Sequence, residues 1–463
     1  MKNLGVKVLV WTVFFILVFG GLTMAKETAK IGVIVVDVQG DFTKFKNGSL
    51  AVEGTDEAYV KAVEENTKKL KAAGFPIYAT QDWHPKDHAS FFTNHPGKKA
   101  FDVIKLNNRD QVLWPPHCVQ KTPGAKILLD KKLFKAVVKK GMDPQYDSYS
   151  GFQDDGGKKT EMDKILKKEN LDLMHFTHFN APIFYNRPFV VTIHDLTLSF
   201  FPGKKMNHFF QRMAYHKVIR SVTGKAKKII AVSNHTKKDL METLKVQEDK
   251  IVVIYNGVSA KFGGTEPTPR QELFKTLGLS RPYFLYTGVW RDHKNLVGLI
   301  KAFAAFNEEA GKQYELVITG PHNPAYHEVP DTVKELGVEK SVHLVGLVSE
   351  QNIYSLYLNA LAYVFPSFYE GFGLPPLEAM QCGTPTLVSN VSAIPEICGE
   401  GNSLYFDPYN IEDMKVKMQE FIKDPTLRQR LIDRGKERVK FFSWEKMVTQ
   451  VLEVYNSVLK SNG

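Results

Sequence analysis

Short apolar segments rich in β-branched residues alternate with helix-like stretches along most of the chain, and this alternation constrains the fold more than any other feature. The segments lack the polar alternation of half-exposed strands, as expected of strands buried on both faces. After residue 185 they are Phe189–Ile193, Ile229–Val232, Ile251–Ile254, Phe284–Tyr286, Glu315–Thr319, Val342–Val345, Ala362–Val364 and Pro385–Val388. Strands separated by helices predict an α/β protein with parallel sheets built from βαβ units.

The length of 463 residues exceeds what one hydrophobic core normally serves, so two or three α/β units are expected. Nearer the start, strands are predicted at Ile31–Val36 and Pro76–Thr80, with a helix at Asp56–Ala73 between them. The Gly-, Pro- and Thr-rich stretch Gly263–Arg270 is typical of an interdomain linker. A weaker boundary is predicted within Asp154–Asn170.

The first 25 residues have the pattern of an export signal. Lys2 and Lys7 precede the apolar run Val8–Phe19, and small residues follow up to Ala25. The run is short for a membrane span, and an uncleaved anchor is the alternative interpretation. This segment predicts an exported, periplasmic or inner-membrane-anchored protein, with membrane association through the segment itself.

The formal net charge of +11 indicates a solvated, lysine-rich surface more than a preference for anionic partners. No nucleic-acid-binding module is recognisable, so nucleic acid is not an expected partner. The three cysteines, Cys118, Cys382 and Cys398, are too few for a disulfide framework. Composition therefore excludes a disulfide-stapled domain.

Two motifs in the C-terminal part have the chemistry of a phosphate and sugar site. Gly288 directly follows a predicted strand, and Arg291 and Lys294 come a few residues later. A glycine at a strand end lets the main chain approach a phosphate, and two nearby cations can neutralise a diphosphate. A turn with solvated charges is the alternative, and this motif alone is a weak signal.

The second motif is the stretch Glu370–Glu378, in which two glutamates flank a Gly-Phe-Gly turn and a Pro-Pro pair. The prolines predict a helix start, where unpaired N–H groups suit sugar hydroxyls or an anion. The second glutamate, about one turn into that helix, can accept hydrogen bonds from ribose hydroxyls. For either carboxylate alone, a surface charge would be the preferred interpretation.

Together these motifs resemble the large family of retaining glycosyltransferases with the GT-B fold that includes bacterial mannosyl- and glucosyltransferases. The resemblance extends over about residues 172–463. It includes the segments Met174–Asn180, Val190–Leu196, Val232–His235, Tyr255–Val258, Val317–Pro321, Pro366–Glu370 and Phe442–Trp444. The early strand–helix units of the family's N-terminal lobe have no counterpart here. Because those units supply much of the acceptor site, donor binding can survive without transfer.

The resemblance implies a GDP- or UDP-sugar donor, an unknown sugar or lipid-linked acceptor, and transfer with net retention. It implies that Arg291 and Lys294 hold the donor diphosphate without a metal and stabilise the leaving group. Hydroxyls of the transferred sugar would contact Glu370 and His194. The implied backbone contacts to the donor lie at Phe372, Gly373 and Leu374, with Gly288 at the phosphates and Glu378 at the ribose.

A second constellation, near the N-terminus, has the composition of a metal site. Asp82, His84, His88 and His117 offer one oxygen and three nitrogen ligands, suited to Zn²⁺, Mn²⁺ or Fe²⁺. Asp82 and His84, two residues apart, project to the same side of an extended chain. Ordinary surface histidines are the alternative, and metal binding is the preferred interpretation.

This part resembles the nicotinamidases of the isochorismatase-like hydrolases, over about residues 30–170. The resemblance implies that Asp37 is the general base and that Lys140 is the adjacent catalytic cation, with Lys139 as a near-equal candidate. In the family these residues activate a cysteine thiolate that attacks the amide. The segment carrying that cysteine is absent here, since Cys118 matches a different position of the family. An impaired hydrolase is therefore expected.

The predicted domains are a signal or anchor (1–25), an incomplete three-layer isochorismatase-like unit (30–168), a partial N-terminal lobe of a GT-B glycosyltransferase (172–262), a complete Rossmann-like domain that binds the nucleotide sugar (270–440), and a C-terminal helix (441–463). Two hypotheses remain for the seam at about Thr160–Leu173: recombination into one mixed lobe, or the joining of two broken domains. Three functions compete: a glycosyltransferase, a metal-dependent nicotinamidase-like hydrolase, and a non-catalytic chimera. A cytosolic sugar donor conflicts with the predicted export.

Overall fold

The chain forms two compact units. The first unit holds the chain up to Thr177, the segment ending at Phe189 and the residues from Leu459 onward. The second holds the segments that begin at His178 and at Val190, the latter ending at Val458. The computed structural model describes residues 32–52, 55–100, 102–106, 109–148, 151–154, 156–169, 172–181, 185–203, 209–258, 266–321 and 326–460.

The first unit is built on a parallel sheet of three strands. They are β1 (Val33–Val36), β2 (Ile77–Asp82) and β5 (Ala136–Lys140), in the order β1-β2-β5. Every residue of the central strand β2 is buried, as expected of a parallel strand covered on both faces. The carboxyl ends of the three strands therefore lie side by side at one edge of the sheet.

Helix α1 (Glu57–Ala72) connects β1 to β2. Asp56 caps its start by accepting a hydrogen bond from the Tyr59 N–H at 2.8 Å. Its buried face packs into the core beside β1 and β2; that face consists of Val60, Val63, Thr67 and Leu70. The sequence did not predict the antiparallel hairpin of β3 (Val103–Leu106) and β4 (Arg109–Val112), which follows β2.

Residues from both sides of the predicted seam share a small core in the first unit. Helix α2 (Met162–Glu169) contributes Met162 and Leu166, which pack with Tyr78 and Val138 of the sheet. Met174, in strand β6 (Met174–Phe176), packs against the same cluster. The helix–strand step at the seam is thus part of the hydrophobic core of the first unit.

The second unit begins with three parallel strands, β7 (Phe189–Ile193), β8 (Lys228–Ala231) and β9 (Ile251–Val253). All residues of β7 and all but Lys228 of β8 are buried, as the sequence pattern predicted, whereas β9 is partly exposed. Three helices accompany these strands: α3 (Thr197–Phe200), α4 (Phe209–Lys225) and α5 (Asn234–Leu244). Ser233 caps α5 by accepting from the Thr236 N–H at 3.0 Å.

A six-stranded parallel sheet follows, in the order β12-β11-β10-β13-β14-β15. Its strands are β10 (Tyr283–Tyr286), β11 (Glu315–Thr319), β12 (Val342–Gly346), β13 (Ala362–Phe365), β14 (Thr386–Ser389) and β15 (Leu404–Phe406). Its helices are α6 (Arg270–Leu277), α7 (Leu296–Glu309), α8 (Glu328–Glu335), α9 (Glu350–Asn359), α10 (Leu374–Gln381), α11 (Ile394–Cys398), α12 (Ile411–Lys423) and α13 (Pro425–Val439). This is a doubly wound sheet of the Rossmann type, and helix α14 (Trp444–Lys460) follows it.

The prediction of an exported or membrane-anchored location is wrong. Among the described residues, no helix is long and apolar enough to cross a membrane. The longest described helices, α4 and α14, have 17 residues each and carry several charges, whereas a span needs about 20 mostly apolar residues. The segment Val8–Phe19, on which the prediction rested, lies outside the described residues.

Candidate functional site

The six-stranded sheet brings the two predicted sugar-nucleotide motifs side by side. Strand order reverses between β10 and β13, which are neighbours in the sheet. In open α/β sheets, ligands bind beyond the carboxyl ends of the strands at such a reversal. Strand β10 leads into Gly288, and β13 leads into Glu370. Both motifs therefore lie where this fold opens a ligand crevice.

Two glycines allow the main chain to pass closely at this edge. Gly288 has φ of 145° and Gly320 has φ of 118°, a region that L side chains rarely adopt. A Cβ on Gly320 would overlap the carbonyl oxygen of Gly288. Because close approach to a phosphate requires main chain free of side chains, this corner of the crevice suits a diphosphate.

The 3₁₀ turn Asp292–Lys294 carries the predicted phosphate cations. Arg291 precedes the turn, and its carbonyl oxygen accepts from the Lys294 N–H at 2.9 Å. The Lys294 ammonium forms an ion pair with Glu370, and the two side chains are only 15% and 14% exposed. Burial and the neighbouring charges of Lys294 and Arg291 lower the pKa of His293 to about 2. At neutral pH, Arg291 and Lys294 are thus the cations of this segment.

The loop carrying Glu370 is fixed by hydrogen bonds on both sides. The Glu370 N–H donates to Ser392 Oγ at 2.9 Å. The carbonyl oxygen of Gly371 accepts from Ser233 Oγ at 2.7 Å and from Thr236 Oγ1 at 3.2 Å. These two hydroxyls belong to the N-cap and first turn of α5. The Glu370 carboxylate therefore has a defined place in the crevice.

Helix α10 starts directly after this loop. Gly373 is its N-cap with φ of 108°, and Leu374 is its first residue. Phe372 is buried, and its ring packs edge-on against Phe442 at a centroid distance of 5.7 Å. The first N–H groups of a helix have no partner within the helix. The predicted backbone contacts, Phe372 to Leu374, thus lead into a helix start that can donate to oxygens.

Glu378 lies about one turn into α10, as the sequence predicted. The Tyr357 hydroxyl donates to Glu378 Oε2 at 3.2 Å. The same hydroxyl is 2.8 Å from Thr287 Oγ1, and Thr287 directly precedes Gly288. A chain of hydrogen bonds therefore connects the predicted ribose ligand to the predicted phosphate corner.

His194 directly follows β7, and its loop approaches the Glu370 loop. A Cβ on Gly371 would overlap the His194 carbonyl oxygen and would lie 2.7 Å from Asp195 Cβ. The His194 ring stacks on His178 at a centroid distance of 6.3 Å. Burial and the charge of His194 lower the pKa of His178 to about 4. The structure thus places the His194 loop against the main chain of the Glu370 loop.

This close approach makes Gly371 a sensitive position. We expect Gly371→Ala to lower the rate of sugar transfer by roughly 10- to 100-fold, because the added Cβ must push the His194 loop away from Glu370. Gly224→Ala is the matched control, since a Cβ on Gly224, in α4, meets nothing within 4 Å. The control should keep the wild-type rate and gain slightly in stability. A wild-type rate for Gly371→Ala would contradict the inferred contact.

In the first unit, the strand ends bring together the predicted acid–base residues. Lys140, at the end of β5, is 2.9 Å from Asp37 Oδ2 and forms a second ion pair with Asp82. Burial raises the pKa of Asp37, although Lys140 offsets part of this effect. For Asp82, burial acts to raise the pKa, but Lys140 and His84 together outweigh burial, and the pKa is lowered. Lys139, the alternative cation, is exposed and lies over the Trp83 ring at 4.1 Å.

The four predicted metal ligands form a buried cluster. Donor atoms of Asp82, His84 and His117 lie within 4.8 Å of one another. His84 Nδ1 is 2.9 Å from the Gly141 carbonyl and His117 Nδ1 is 2.8 Å from the Pro115 carbonyl. Such contacts hold the proton on Nδ1 and leave Nε2 as a ligand. These three residues therefore fit a divalent metal.

His88 differs from His84 and His117 in the hydrogen bonds of its ring nitrogens. Its Nδ1 accepts from the Ser90 N–H at 3.2 Å, and its Nε2 is 3.2 Å from the Tyr146 carbonyl. Donor atoms of His88 also group with those of His84 and Asp147 within 4.8 Å. Since protein groups contact both ring nitrogens, His88 is less available to a metal than the other two histidines.

The thiol of Cys118 does not fill the place of the missing nucleophile. It is fully buried, and it donates to the Gly124 carbonyl at 3.9 Å. Burial and the nearby carboxylates raise its pKa well above the usual range. Because the thiolate is the reactive form, this cysteine is a structural residue.

Comparison with known proteins identifies the class. The family model "Glycosyl transferases group 1" matches residues 269–438. "Glycosyltransferase Family 4" matches residues 122–262, and so begins inside the nicotinamidase-like part. The structure resembles sucrose-phosphate synthase from Thermosynechococcus elongatus (TM-score 0.58, 20% identity, 92% of this chain and 98% of that one). The fold is thus that of a GT-B glycosyltransferase.

Individual relatives specify the family. The chain is 30% identical to O-antigen chain mannosyltransferase B of Escherichia coli over 290 residues, 61% of this chain and 74% of the relative. It therefore belongs to the group 1 glycosyltransferases, with an N-terminal part homologous to nicotinamidases. For that part, identity to the nicotinamidase of Acinetobacter baylyi is 39% over 153 residues, 32% of this chain and 68% of the relative.

A further solved structure resembles the same fold. This structure, Anabaena Alr3699/HepE in complex with UDP and glucose, matches with a TM-score of 0.53 at 18% identity, over 64% of this chain and 80% of that one.

Sequence reasoning missed several residues that shape the two sites. Ser392 fixes the Glu370 main chain, and nothing in its local sequence indicates this. Asp147 accepts from Gln111 Nε2 and Trp114 Nε1 at 3.1 Å each, and no sequence motif named above includes it. Tyr369 directly precedes Glu370, and only this position in the sequence could have indicated that it belongs to the site.

Proposed function

We propose that this glycosyltransferase moves a hexose of the mannose or glucose type from a nucleoside-diphosphate sugar to a sugar or lipid-linked acceptor, with retention at the anomeric carbon. One observation carries the proposal: the Lys294–Glu370 ion pair lies at the point where the strand order of the six-stranded sheet reverses. A cation and a carboxylate together suit a donor with a diphosphate on one side and sugar hydroxyls on the other.

In this proposal, Arg291 and Lys294 bind the diphosphate and stabilise the charge that develops as the sugar–phosphate bond breaks. Main chain at Gly288 approaches the phosphates, and Glu378 accepts from the ribose hydroxyls. Binding of the donor replaces the contact between Lys294 and Glu370, so that each group faces its own part of the donor. The cations do the work that a metal does in other transferases.

The sugar itself is assigned to the Glu370 loop. Glu370 accepts from hydroxyls of the transferred hexose, and the N–H groups from Phe372 to Leu374 donate to it. His194 contacts the sugar from the opposite loop. The hexose type is supported by relatives named as mannosyltransferases and by a structural neighbour that binds UDP and glucose, so both GDP and UDP conjugates are candidate donors.

The test is calorimetric titration of the full chain with UDP, GDP, UDP-glucose and GDP-mannose. Saturable binding of one nucleotide and its conjugate, weakened about 10-fold or more in Glu378→Ala, would support the proposal. Glu453→Ala is the control, because Glu453 is exposed on α14. A well-folded sample that binds none of the four compounds would refute the proposed donor site.

For the first unit, we propose a divalent metal site of Asp82, His84 and His117 rather than amide hydrolysis. Bound there, a metal would act as a Lewis acid. The Asp37–Lys140 pair supports an amidase ancestry, but without a thiolate nucleophile nicotinamide hydrolysis should be strongly impaired. Nicotinate release at an ordinary enzymatic rate would overturn this second proposal.

We expect about one Zn²⁺, Mn²⁺ or Fe²⁺ per chain by elemental analysis of the purified protein. His117→Ala should lower this content 10- to 100-fold at limiting metal, because it removes one of three ligands. His95→Ala is the control: His95 Nε2 contacts the Ala89 carbonyl at 2.8 Å and groups with no other metal-ligating side chain among the described residues. Equal metal content in both variants would contradict the assignment.

A further inference from the structure

Tyr369, the residue before Glu370, joins the Glu370 loop to two other segments of the second unit. Its hydroxyl donates to Asp239 Oδ2 of α5 at 2.5 Å. The same hydroxyl accepts from the Leu196 N–H at 3.2 Å, two residues after His194. One oxygen atom thus connects the loop that carries Glu370, the loop that carries His194, and helix α5.

These contacts are buried and well defined. Tyr369 is 6% exposed and Asp239 is 7% exposed. The ring of His235, one turn before Asp239, packs edge-on against the Tyr369 ring at a centroid distance of 5.8 Å. Burial and the Asp239 charge raise the pKa of Tyr369, so its hydroxyl keeps its proton and remains a donor.

Helix α5 is also attached to its surroundings at its start. The Glu396 carboxylate of α11 accepts from the Asn234 N–H at 2.7 Å and from the His235 N–H at 3.1 Å. It accepts in addition from the Tyr255 hydroxyl at 2.8 Å. A carboxylate at a helix N-terminus is electrostatically favourable. The helix that receives Tyr369 is therefore itself fixed to the Rossmann-type domain.

We propose that Tyr369 is a positioning residue: through Asp239 and the Leu196 N–H, it holds Glu370 at the correct distance from the His194 loop. This inference rests on the proposed function, because it takes Glu370 as the sugar ligand. The neighbouring Gly371 carbonyl has its own bonds to α5, so the loop stays attached when Tyr369 is changed. What Tyr369 adds is the coupling between the two loops that face the sugar.

Tyr369→Phe keeps the ring and removes only the hydroxyl. We expect it to weaken binding of the preferred nucleotide sugar about 5- to 10-fold and to lower kcat roughly 10- to 100-fold. Binding of the free nucleotide should stay within about 2-fold, because Arg291, Lys294 and Glu378 are untouched. Asp239→Ala, which removes the acceptor of the Tyr369 hydroxyl, should reproduce the effect. The double variant should be no more than about 2-fold worse than either single variant, because the two side chains act as one pair.

Tyr283→Phe is the matched control, since Tyr283 is also fully buried and its hydroxyl donates to the Leu356 carbonyl at 2.8 Å, away from the Glu370 loop. It should lower thermal stability without changing the ratio of nucleotide to nucleotide-sugar affinity. If Tyr369→Phe behaves like Tyr283→Phe, Tyr369 is merely structural and the proposal is overturned. If the wild-type chain binds no nucleotide, the proposed function fails first, and the role of Tyr369 fails with it.

Discussion

Lys294→Ala is expected to lower sugar transfer by roughly 10²- to 10³-fold, the range seen when one preorganised donor to a developing negative charge is removed. The Lys294 ammonium pairs with Glu370, and the Lys294 side chain is only 15% exposed. Its charge is therefore screened less by solvent than that of a surface lysine. The substitution also leaves the Glu370 carboxylate without its partner, directly beside the predicted diphosphate. Both effects weaken donor binding as well as turnover.

The measurement is the initial rate of donor hydrolysis or transfer, together with the Kd of the free nucleotide. Lys301→Ala is the matched control, because Lys301 is an exposed lysine on α7, the helix that follows the same turn. It should leave both quantities unchanged. Nucleotide affinity that is equal in the Lys294 and Lys301 variants would remove Lys294 from the donor site.

The sequence was sufficient to predict the strands but not their order. Segments such as Phe284–Tyr286 and Ala362–Val364 were predictable as strands because strands buried on both faces are continuously apolar. That β10 and β13 are neighbours depends on how the helices pack on both faces, which no local pattern encodes. The hairpin Val103–Val112 was missed because charged residues interrupt it.

In the candidate sites, too, the sequence predicted single residues but not the contacts between them. Lys294 and Glu370 were predictable because a diphosphate and a sugar require a cation and a carboxylate. Lys294 pairs with Glu370, and Lys140 pairs with Asp82. These ion pairs place the predicted site residues together, and the roles assigned to the residues stay predictions. Tyr369 escaped notice because an aromatic residue after a strand usually belongs to the core. Its partner Asp239 lies 130 positions earlier in the chain.

Packing around the seam distinguishes recombination into one lobe from the joining of two broken domains. Two broken domains would leave apolar residues near the seam without a common core. Instead, Met162, Leu166 and Met174 pack with Tyr78 and Val138, and Lys135 pairs with Glu169 at 2.6 Å. This shared core favours recombination at an equivalent helix–strand step. The match of a glycosyltransferase family model from residue 122 onward is consistent with such a step, because βαβ units are common to both families.

Lys140→Ala is expected to destabilise the first unit by about 3–5 kcal/mol, the usual result of breaking a buried ion pair from one side. Lys140 is 4% exposed, and its ammonium faces Asp37 and Asp82 while donating to the Ser148 carbonyl at 3.0 Å. Without it, the two buried carboxylates at adjacent strand ends would lose the lysine that pairs with both. Hydrogen exchange of the amides in β1, β2 and β5, measured on the full chain by mass spectrometry, would report the loss within this unit.

The neighbouring residue provides the control. Lys139→Ala removes an exposed lysine that lies over the Trp83 ring, and such a contact contributes only about 0.5–1 kcal/mol. The difference in amide exchange between the two variants would thus report the loss of a buried charge, and not merely the truncation of a residue in β5. Adding Asp82→Asn to Lys140→Ala should restore much of the protection, since it removes one of the two orphaned charges. Equal amide exchange rates in the Lys140→Ala and Lys139→Ala variants would contradict this prediction. They would mean that Asp37, Asp82 and Lys140 are hydrated and do not form a buried ion-pair network.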